Sequence, residues 1–240
     1  MKKIKLIILL CLFTKFAYSV NYKGIDISHH QGKIKWNTID TTIKFTIIKA
    51  TEGTDFKDKC FDYNWKEIKN THIYRGAYHY FRPNKSGIEQ AKFFLKTVNF
   101  QKGDIIPVID IEKMNYKITY VYKKRGKKTI RVKCIKVQNV IAYNNLRDMI
   151  DYIYKVLHVK PILYTSTSHW KSYYDKLFIN EHHHILWIAD YRKKVVNPNI
   201  PKSWTDWTIW QYSPKYKIKG LNKCVDINIS KKHPQEFIIK

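Results

Sequence analysis

Two carboxylates lie close together in residues 108–112 of this 240-residue chain, which read Val-Ile-Asp-Ile-Glu. Alternate residues of a β-strand share one face, so Asp110 and Glu112 are predicted to point the same way, roughly 6.5 Å apart along the backbone. Repulsion between them raises the pKa of one. A protonated Glu112 beside an ionised Asp110 is the arrangement that cleavage of a glycosidic bond requires. A strand end whose acids bind lysines would have the same pattern.

Three more acids, Asp26, Asp190 and Asp226, each lie in a short run of apolar residues elsewhere in the chain. If these runs are strands of one β/α barrel, their C-terminal ends meet at a common mouth. Five of only 19 acids would then converge at that mouth, which favours a functional site.

Eight segments rich in β-branched and aromatic residues predict short buried strands. They are residues 24–28, 45–50, 75–81, 105–111, 161–165, 185–191, 207–212 and 224–229. Apolar residues at helical spacing predict helices over 87–98 and 137–157. Strands that alternate with helices indicate a parallel sheet, and eight strands indicate a closed barrel. The short gaps after the later strands leave room for fewer helices than strands.

The first 19 residues have the layout of a secretory signal peptide. A lysine-rich start precedes an apolar run over 6–13, and Ala17 and Ser19 are the small residues that a signal peptidase reads. We therefore expect cleavage after Ser19, export from the cytoplasm to the periplasm or the exterior, and one domain over 20–240. An uncleaved membrane anchor is the alternative.

The chain is strongly basic, with a formal charge of +26, or +22 without the signal and its four lysines. A charge of this size attracts an anionic partner: nucleic acid, a cell-wall polymer or lipid headgroups. Residues 113–136 contain ten Lys or Arg and no acid. Two β-rich runs there flank a basic tip around Gly126, which predicts an inserted β-hairpin.

Other chemistries lack their motifs. There is no C-x-x-C pair, no glycine-rich phosphate loop and no G-x-S-x-G elbow. The neighbouring histidines at 29–30 and 182–184 lack the i, i+4 spacing of helical metal ligands. We expect no metal and no cofactor. Cys60, Cys134 and Cys224 allow at most one disulfide within the exported chain.

Eight segments, in this order along residues 22–230, resemble the lysozymes of glycoside hydrolase family 25. They are Gly-Ile-Asp-Ile-Ser-His-His-Gln-Gly (24–32), Ile-Lys-Ala-Thr-Glu-Gly (48–53), Gly-Ala-Tyr-His-Tyr-Phe (76–81), Pro-Val-Ile-Asp-Ile-Glu (107–112), Pro-Ile-Leu-Tyr-Thr (161–165), Trp-Ile-Ala-Asp-Tyr (187–191), Trp-Gln-Tyr-Ser (210–213) and Val-Asp-Ile-Asn (225–228). The resemblance implies an irregular, flattened β/α barrel of eight strands and fewer helices. It also implies N-acetylmuramidase activity, which cleaves the bond from N-acetylmuramic acid to N-acetylglucosamine in peptidoglycan.

By motif match, the resemblance implies that Glu112 donates a proton to the leaving oxygen, while Asp110 stabilises charge or orients the substrate acetamido group. Asp26, counted with the catalytic residues, and Asp190 would complete the acidic cleft. The residues implied to line it are Asp190, Tyr78, Tyr80, Tyr164, Gln211 and Asp226. Substrate assistance, a carboxylate nucleophile and an inverting water all remain open as routes.

The basic insertion at 113–136 departs from the family pattern. Because it follows Glu112 directly, we expect it to bind anionic wall polymer or lipid headgroups near the cut, against the alternative of a solvated loop. The rival functions are a non-catalytic cationic wall-binding protein and a cationic toxin that binds wall or nucleic acid. We expect no specific nucleic acid partner.

Overall fold

The computed structural model describes residues 21–112, 119–125, 128–134, 139–175, 177–178 and 183–240. The predicted signal peptide (1–19) lies outside the described residues and stays a prediction. Within those ranges, no helix is both long enough and apolar enough to cross a bilayer.

Eight strands close into the predicted barrel. The strands of the chain are β1 (Tyr22–Ile27), β2 (Ile43–Glu52), β3 (Phe56–Lys57), β4 (Tyr74–Tyr80), β5 (Val108–Asp110), β6 (Thr119–Arg125), β7 (Lys128–Cys134), β8 (Ile162–Ser166), β9 (Leu186–Ala189), β10 (Ile209–Tyr216) and β11 (Val225–Ser230). The ring runs β1-β2-β4-β5-β8-β9-β10-β11 and returns to β1. The two-residue strand β3 adds an antiparallel edge to the end of β2.

The prediction of parallel strands was wrong for the last one. Strand β11 runs antiparallel to both of its neighbours, β10 and β1. Only residues 217–224 separate β10 from β11. A parallel crossover needs a dozen or more residues, so a connection this short can only return the chain in the opposite direction.

The described residues contain four α-helices: α1 (Phe61–Glu67), α2 (Gly87–Val98), α3 (Asn139–Leu157) and α4 (Thr167–Tyr173). The sequence predicted α2 at its observed bounds and α3 to within two residues. Ser86 caps α2, since its Oγ accepts the Glu89 amide at 3.3 Å. The helices α1 and α4 have seven residues each, too short for an apolar period to be visible.

Strand alternation divides the core into two layers. Val108 packs inside the barrel with Phe45, Ile162 and Trp187. Ile109 points outward, into the layer that the helices cover. Asp110 follows Val108 on the inner face, so its carboxyl group lies above the apolar barrel interior rather than in solvent.

The basic insertion contains a two-stranded sheet separate from the barrel sheet. Strands β6 and β7 pair antiparallel, from Thr119 opposite Cys134 to Arg125 opposite Lys128. The remaining residues of the insertion lie outside the described ranges.

Candidate active site

Acids and aromatics from six strands meet at one end of the barrel. Register brings them together: Asp110 is paired with Tyr164 on β8, and Tyr164 with Trp187 on β9. On the other side of the ring, Asp26 is directly opposite Asp226. These side chains line one cavity, called the acidic pocket, with the members Asp26, Tyr78, Asp110, Glu112, Tyr164, Trp187, Gln211 and Asp226.

Asp110 and Glu112 form a carboxyl–carboxyl pair joined by a side-chain hydrogen bond. Such a bond needs one proton between the two groups. Burial, and next the charge of Glu112, raise the pKa of Asp110 well above its ordinary range. Burial also raises the pKa of Glu112, while Lys49 opposes the increase at both groups. Burial and mutual repulsion therefore favour the binding of a proton by this pair at pH values at which isolated carboxyl groups are ionised.

Asp26 and Asp226 form a second pair across β1 and β11, also linked by a side-chain hydrogen bond. Burial, followed by the charge of Asp26, raises the pKa of Asp226 to about 8. Asp226 therefore carries a proton at neutral pH. The Oδ2 atom of Asp26 accepts hydrogen bonds from Gln211 Nε2 at 2.7 Å and Asn228 Nδ2 at 2.8 Å.

Those two amides are themselves held in one orientation. Gln211 Oε1 accepts hydrogen bonds from the hydroxyl groups of Tyr164, at 2.8 Å, and Tyr191. Asn228 Oδ1 accepts one from Trp187 Nε1 at 2.8 Å. Each amide must then turn its NH₂ group towards Asp26. Asn228 was not among the predicted site residues, although its position two residues after Asp226, on the same strand face, was a usable signal.

The two predicted tyrosines of β4 have different surroundings. Tyr78 lines the acidic pocket, where burial and then the charge of Asp110 raise its pKa, so it remains a phenol. Tyr80 is not among the residues that line the pocket. Its ring lies below two cations, with Lys49 Nζ at 4.8 Å and the guanidinium carbon of Arg82 at 4.9 Å from its centroid.

Asp190 does not join the other four acids. Its carboxylate accepts hydrogen bonds from Arg192 Nη2 at 2.6 Å and from the Asn199 amide at 2.8 Å. Burial opposes its ionisation, but the bonds from Arg192 and Asn199 outweigh burial and hold the pKa of Asp190 below its ordinary value. Asp190 thus stabilises the loop after β9 by binding Arg192 and the Asn199 amide. The other four predicted acids line the acidic pocket.

Glu112 and Tyr164 also line a second, larger cavity of about 520 Å³, called the outer pocket. Its other members are Ser166, Ser168, His169, Ser172, Tyr173, Ala189 and Tyr191. Glu112 therefore lies at the junction of two cavities. The serines and His169 belong to the end of β8 and to α4, and none of them was among the predicted site residues.

The histidines at 29–30 are engaged with a carboxylate and with each other. His29 Nδ1 lies 2.8 Å from Asp58 Oδ2. The centroids of the His29 and His30 rings lie 4.2 Å apart, with the ring planes tilted by 36°. Among the described residues, no group of three His, Cys, Asp or Glu side chains could hold a metal ion.

Cys60, which is buried, and Cys224, which is exposed, are free thiols.

Comparison with known proteins identifies relatives along nearly the whole chain. The family model "Glycosyl hydrolases family 25" matches residues 25–221. The protein YegX of Escherichia coli (strain K12) is 30% identical over 224 residues, covering 89% of this chain and 70% of that protein. Lysozyme M1 of Streptomyces globisporus is 31% identical over 212 residues, with 86% and 66% coverage. The crystal structure of the Streptomyces coelicolor lysozyme is similar with a TM-score of 0.73 and 28% identity, covering 90% of this chain and 94% of that chain.

Proposed function

Because the chain belongs to the glycosyl hydrolases of family 25 and is a muramidase that hydrolyses bacterial peptidoglycan, we propose that Glu112 is its general acid. Glu112 would protonate the leaving oxygen of the bond between N-acetylmuramic acid and N-acetylglucosamine. The observation that carries this assignment is the position of Glu112 at the junction of the two pockets, next to the buried carboxyl group of Asp110. Glu112 is the partly exposed member of the pair, so it can reach a substrate atom.

The proton is available to Glu112 through the bond between the two carboxyls. That bond raises the pKa of Asp110 and lowers the pKa of Glu112. A proton that rests on Asp110 in the free site can pass along the bond to Glu112 when a glycosidic oxygen approaches as acceptor. Asp110 is then the carboxylate and Glu112 the acid, which is the division of roles that the chemistry needs.

We propose the substrate-assisted route, with Asp110 as the partner of the acetamido group. Asp110 is 5% exposed, and its Oδ1 has no hydrogen-bond partner among the described residues. An acetamido N–H would supply that partner. The acetamido oxygen would attack the anomeric carbon as the bond to the leaving oxygen breaks and that oxygen takes the proton of Glu112. Water would then open the cyclic intermediate and give a proton back to Glu112.

Asp26, which accepts a hydrogen bond from the protonated Asp226, would support the positive charge that develops on the sugar ring. Asp26 stays fixed by Gln211 and Asn228, so it needs no rearrangement as the charge forms. Tyr78, Tyr164 and Trp187 would provide the apolar walls that exclude water from this charge.

The deciding assay measures new reducing ends released from purified peptidoglycan. The wild type should release them, and Glu112→Gln should lose about 10²- to 10⁴-fold in rate, the usual contribution of a general acid, while it still binds the wall. Glu67→Gln, the same change at an exposed position on α1, is the matched control and should keep full activity. If the wild type binds the wall but releases no reducing ends, the proposal fails and the non-catalytic wall-binding alternative holds.

We also propose that residues 1–19 direct export and that the basic insertion binds anionic wall polymers or lipid headgroups near the cleavage site. Ten cations without an acid, in a segment that starts directly after Glu112, support the second proposal. Deletion of residues 116–131 should weaken wall binding and reduce its dependence on salt. Unchanged binding and an unchanged salt dependence would show that the segment is only a solvated loop.

A further inference from the structure

The outer pocket and the acidic pocket share the proposed general acid as a lining residue. Glu112 and Tyr164 line both this cavity and the acidic pocket. A general acid stands beside the oxygen of the bond that breaks, so the sugars on the two sides of that oxygen extend in opposite directions from it. If the sugar that is attacked occupies the acidic pocket, the leaving sugar extends into the outer pocket.

The walls of the outer pocket are polar and, Glu112 apart, uncharged. Ser166, Ser168 and Ser172 contribute hydroxyl groups, and Tyr173 and Tyr191 contribute aromatic rings with polar tips. No lysine or arginine lines the cavity among the described residues. Such walls suit an uncharged, hydroxyl-rich sugar, and they offer no counter-ion to the carboxylates of muramic acid and its peptide.

His169 is the polar group of this pocket that the protein itself leaves unsatisfied. Its side chain lines the cavity and the residue is 6% exposed, yet its Nε2 has no hydrogen-bond partner among the described residues. The position of the residue is fixed, because Ser166 Oγ accepts its backbone N–H at 3.3 Å and its ring packs on Tyr173 at 4.8 Å. A buried nitrogen without a partner costs free energy, which a hydroxyl or amide of a ligand would recover.

We propose that His169 is a specificity-determining residue for the leaving N-acetylglucosamine, through a hydrogen bond from the imidazole to a hydroxyl or acetamido group of that sugar in the outer pocket. This inference rests on the proposed function. Burial lowers the pKa of His169 to about 4, so the imidazole is neutral under ordinary conditions and binds as a dipole.

Two substrates separate this role from a structural one. The first is a glycan strand of peptidoglycan, whose leaving group is a sugar. The second is an aryl glycoside of the N-acetylglucosaminyl-N-acetylmuramic acid disaccharide, whose leaving group is a phenol. His169→Phe should reduce kcat/KM for the glycan strand about tenfold, mainly through KM, as expected from the loss of one hydrogen bond. It should change the aryl glycoside less than twofold. His169→Gln, which keeps a polar group, should recover part of the loss.

His72→Phe is the matched control, because His72 is exposed in the loop before β4, at the opposite end of the barrel. This variant should leave kcat/KM for both substrates unchanged. Equal losses on the two substrates, or no loss on either, would overturn the assignment of His169. If His169→Phe does not fold, Ser168→Ala tests the pocket by the same comparison. A wild type that cleaves neither substrate would contradict the proposed function itself. An active wild type whose variants lose the same activity on both substrates, or lose none, would contradict this inference alone.

Discussion

Asp226→Asn should stabilise the protein increasingly as pH rises, because the carboxyl of Asp226 must stay protonated in the fold. Burial and the neighbouring Asp26 raise its pKa from 3.8 to about 8. Between these values the folded state binds one more proton than the unfolded state, so the free energy of unfolding falls as pH increases. The stability that the protonated Asp226 carboxyl contributes is fully present below pH 3.8 and is lost as pH rises towards about 8. Asparagine does not titrate and keeps an N–H donor for Asp26.

The size of the effect follows from the same shift. One proton corresponds to about 1.4 kcal/mol per pH unit, which gives an upper bound of about 5 kcal/mol at pH 8. Asp226 is partly exposed, so solvent screening reduces this to about 1–2 kcal/mol. For a chain of this length, that is an increase in Tm of about 2–8 °C at pH 8, with almost none at pH 4.

Calorimetry of the two proteins between pH 4 and pH 8 measures this difference directly. The stability curves should converge at low pH and separate as pH rises. Asp206→Asn is a suitable control, because the hydrogen bonds from Lys231 and the Trp207 amide and the charges of Lys231 and Lys232 together outweigh burial and lower the pKa of Asp206. Its contribution to stability is lost only as pH falls below 3.8, so the effect of Asp206→Asn should not change between pH 4 and pH 8. A gain for Asp226→Asn that does not change with pH, or that increases towards pH 4, would refute the reasoning.

Three further predictions concern the frame around the site. Gly87→Ala should destabilise the fold by about several kcal/mol in urea unfolding. The Cβ atom of the alanine would lie 1.8 Å from the carbonyl oxygen of Asn145, where α2 meets α3. A loss of less than about 1 kcal/mol would contradict this contact. Arg75→Met should lower the free energy of unfolding by about 3–5 kcal/mol in the same assay. It removes Arg75 Nε, which lies 2.7 Å from Oδ1 of the buried Asp104 carboxylate. An unchanged urea midpoint would contradict this prediction. NMR titration of His79 should give a pKa of about 4, because burial favours the neutral imidazole. The stability that the neutral imidazole contributes is then lost as pH falls from about 6.5 to 4. A titration near the ordinary value of 6.5 would contradict this effect of burial.

Local composition was sufficient to find the strands, because β-branched and aromatic residues pack well on a pleated, half-buried surface. The predicted segments 45–50 and 224–229 overlap β2 and β11. The direction of β11 was not predictable from its own residues. It depends on the eight-residue connection that precedes it and on the closure of the ring with β1.

The candidate site divides in the same way. The spacing of Asp110 and Glu112 in the sequence was enough to predict that they share a face, since strand alternation is a local rule. The different position of Asp190 was not predictable, because its partner Arg192 competes with the pocket for its carboxylate. Nothing in the spacing of acids indicates which neighbour a carboxylate will bind.

The sequence by itself therefore determined the barrel strands, the family resemblance and the residues of the acid pair. Only the tertiary structure paired Asp26 with Asp226 across β1 and β11, 200 positions apart in the chain, and placed His169 and Glu112 in the walls of one cavity. The physical reason is that alternation and helical period are set by neighbours along the chain, whereas proton sharing and pocket lining depend on distances that exist only after the barrel closes.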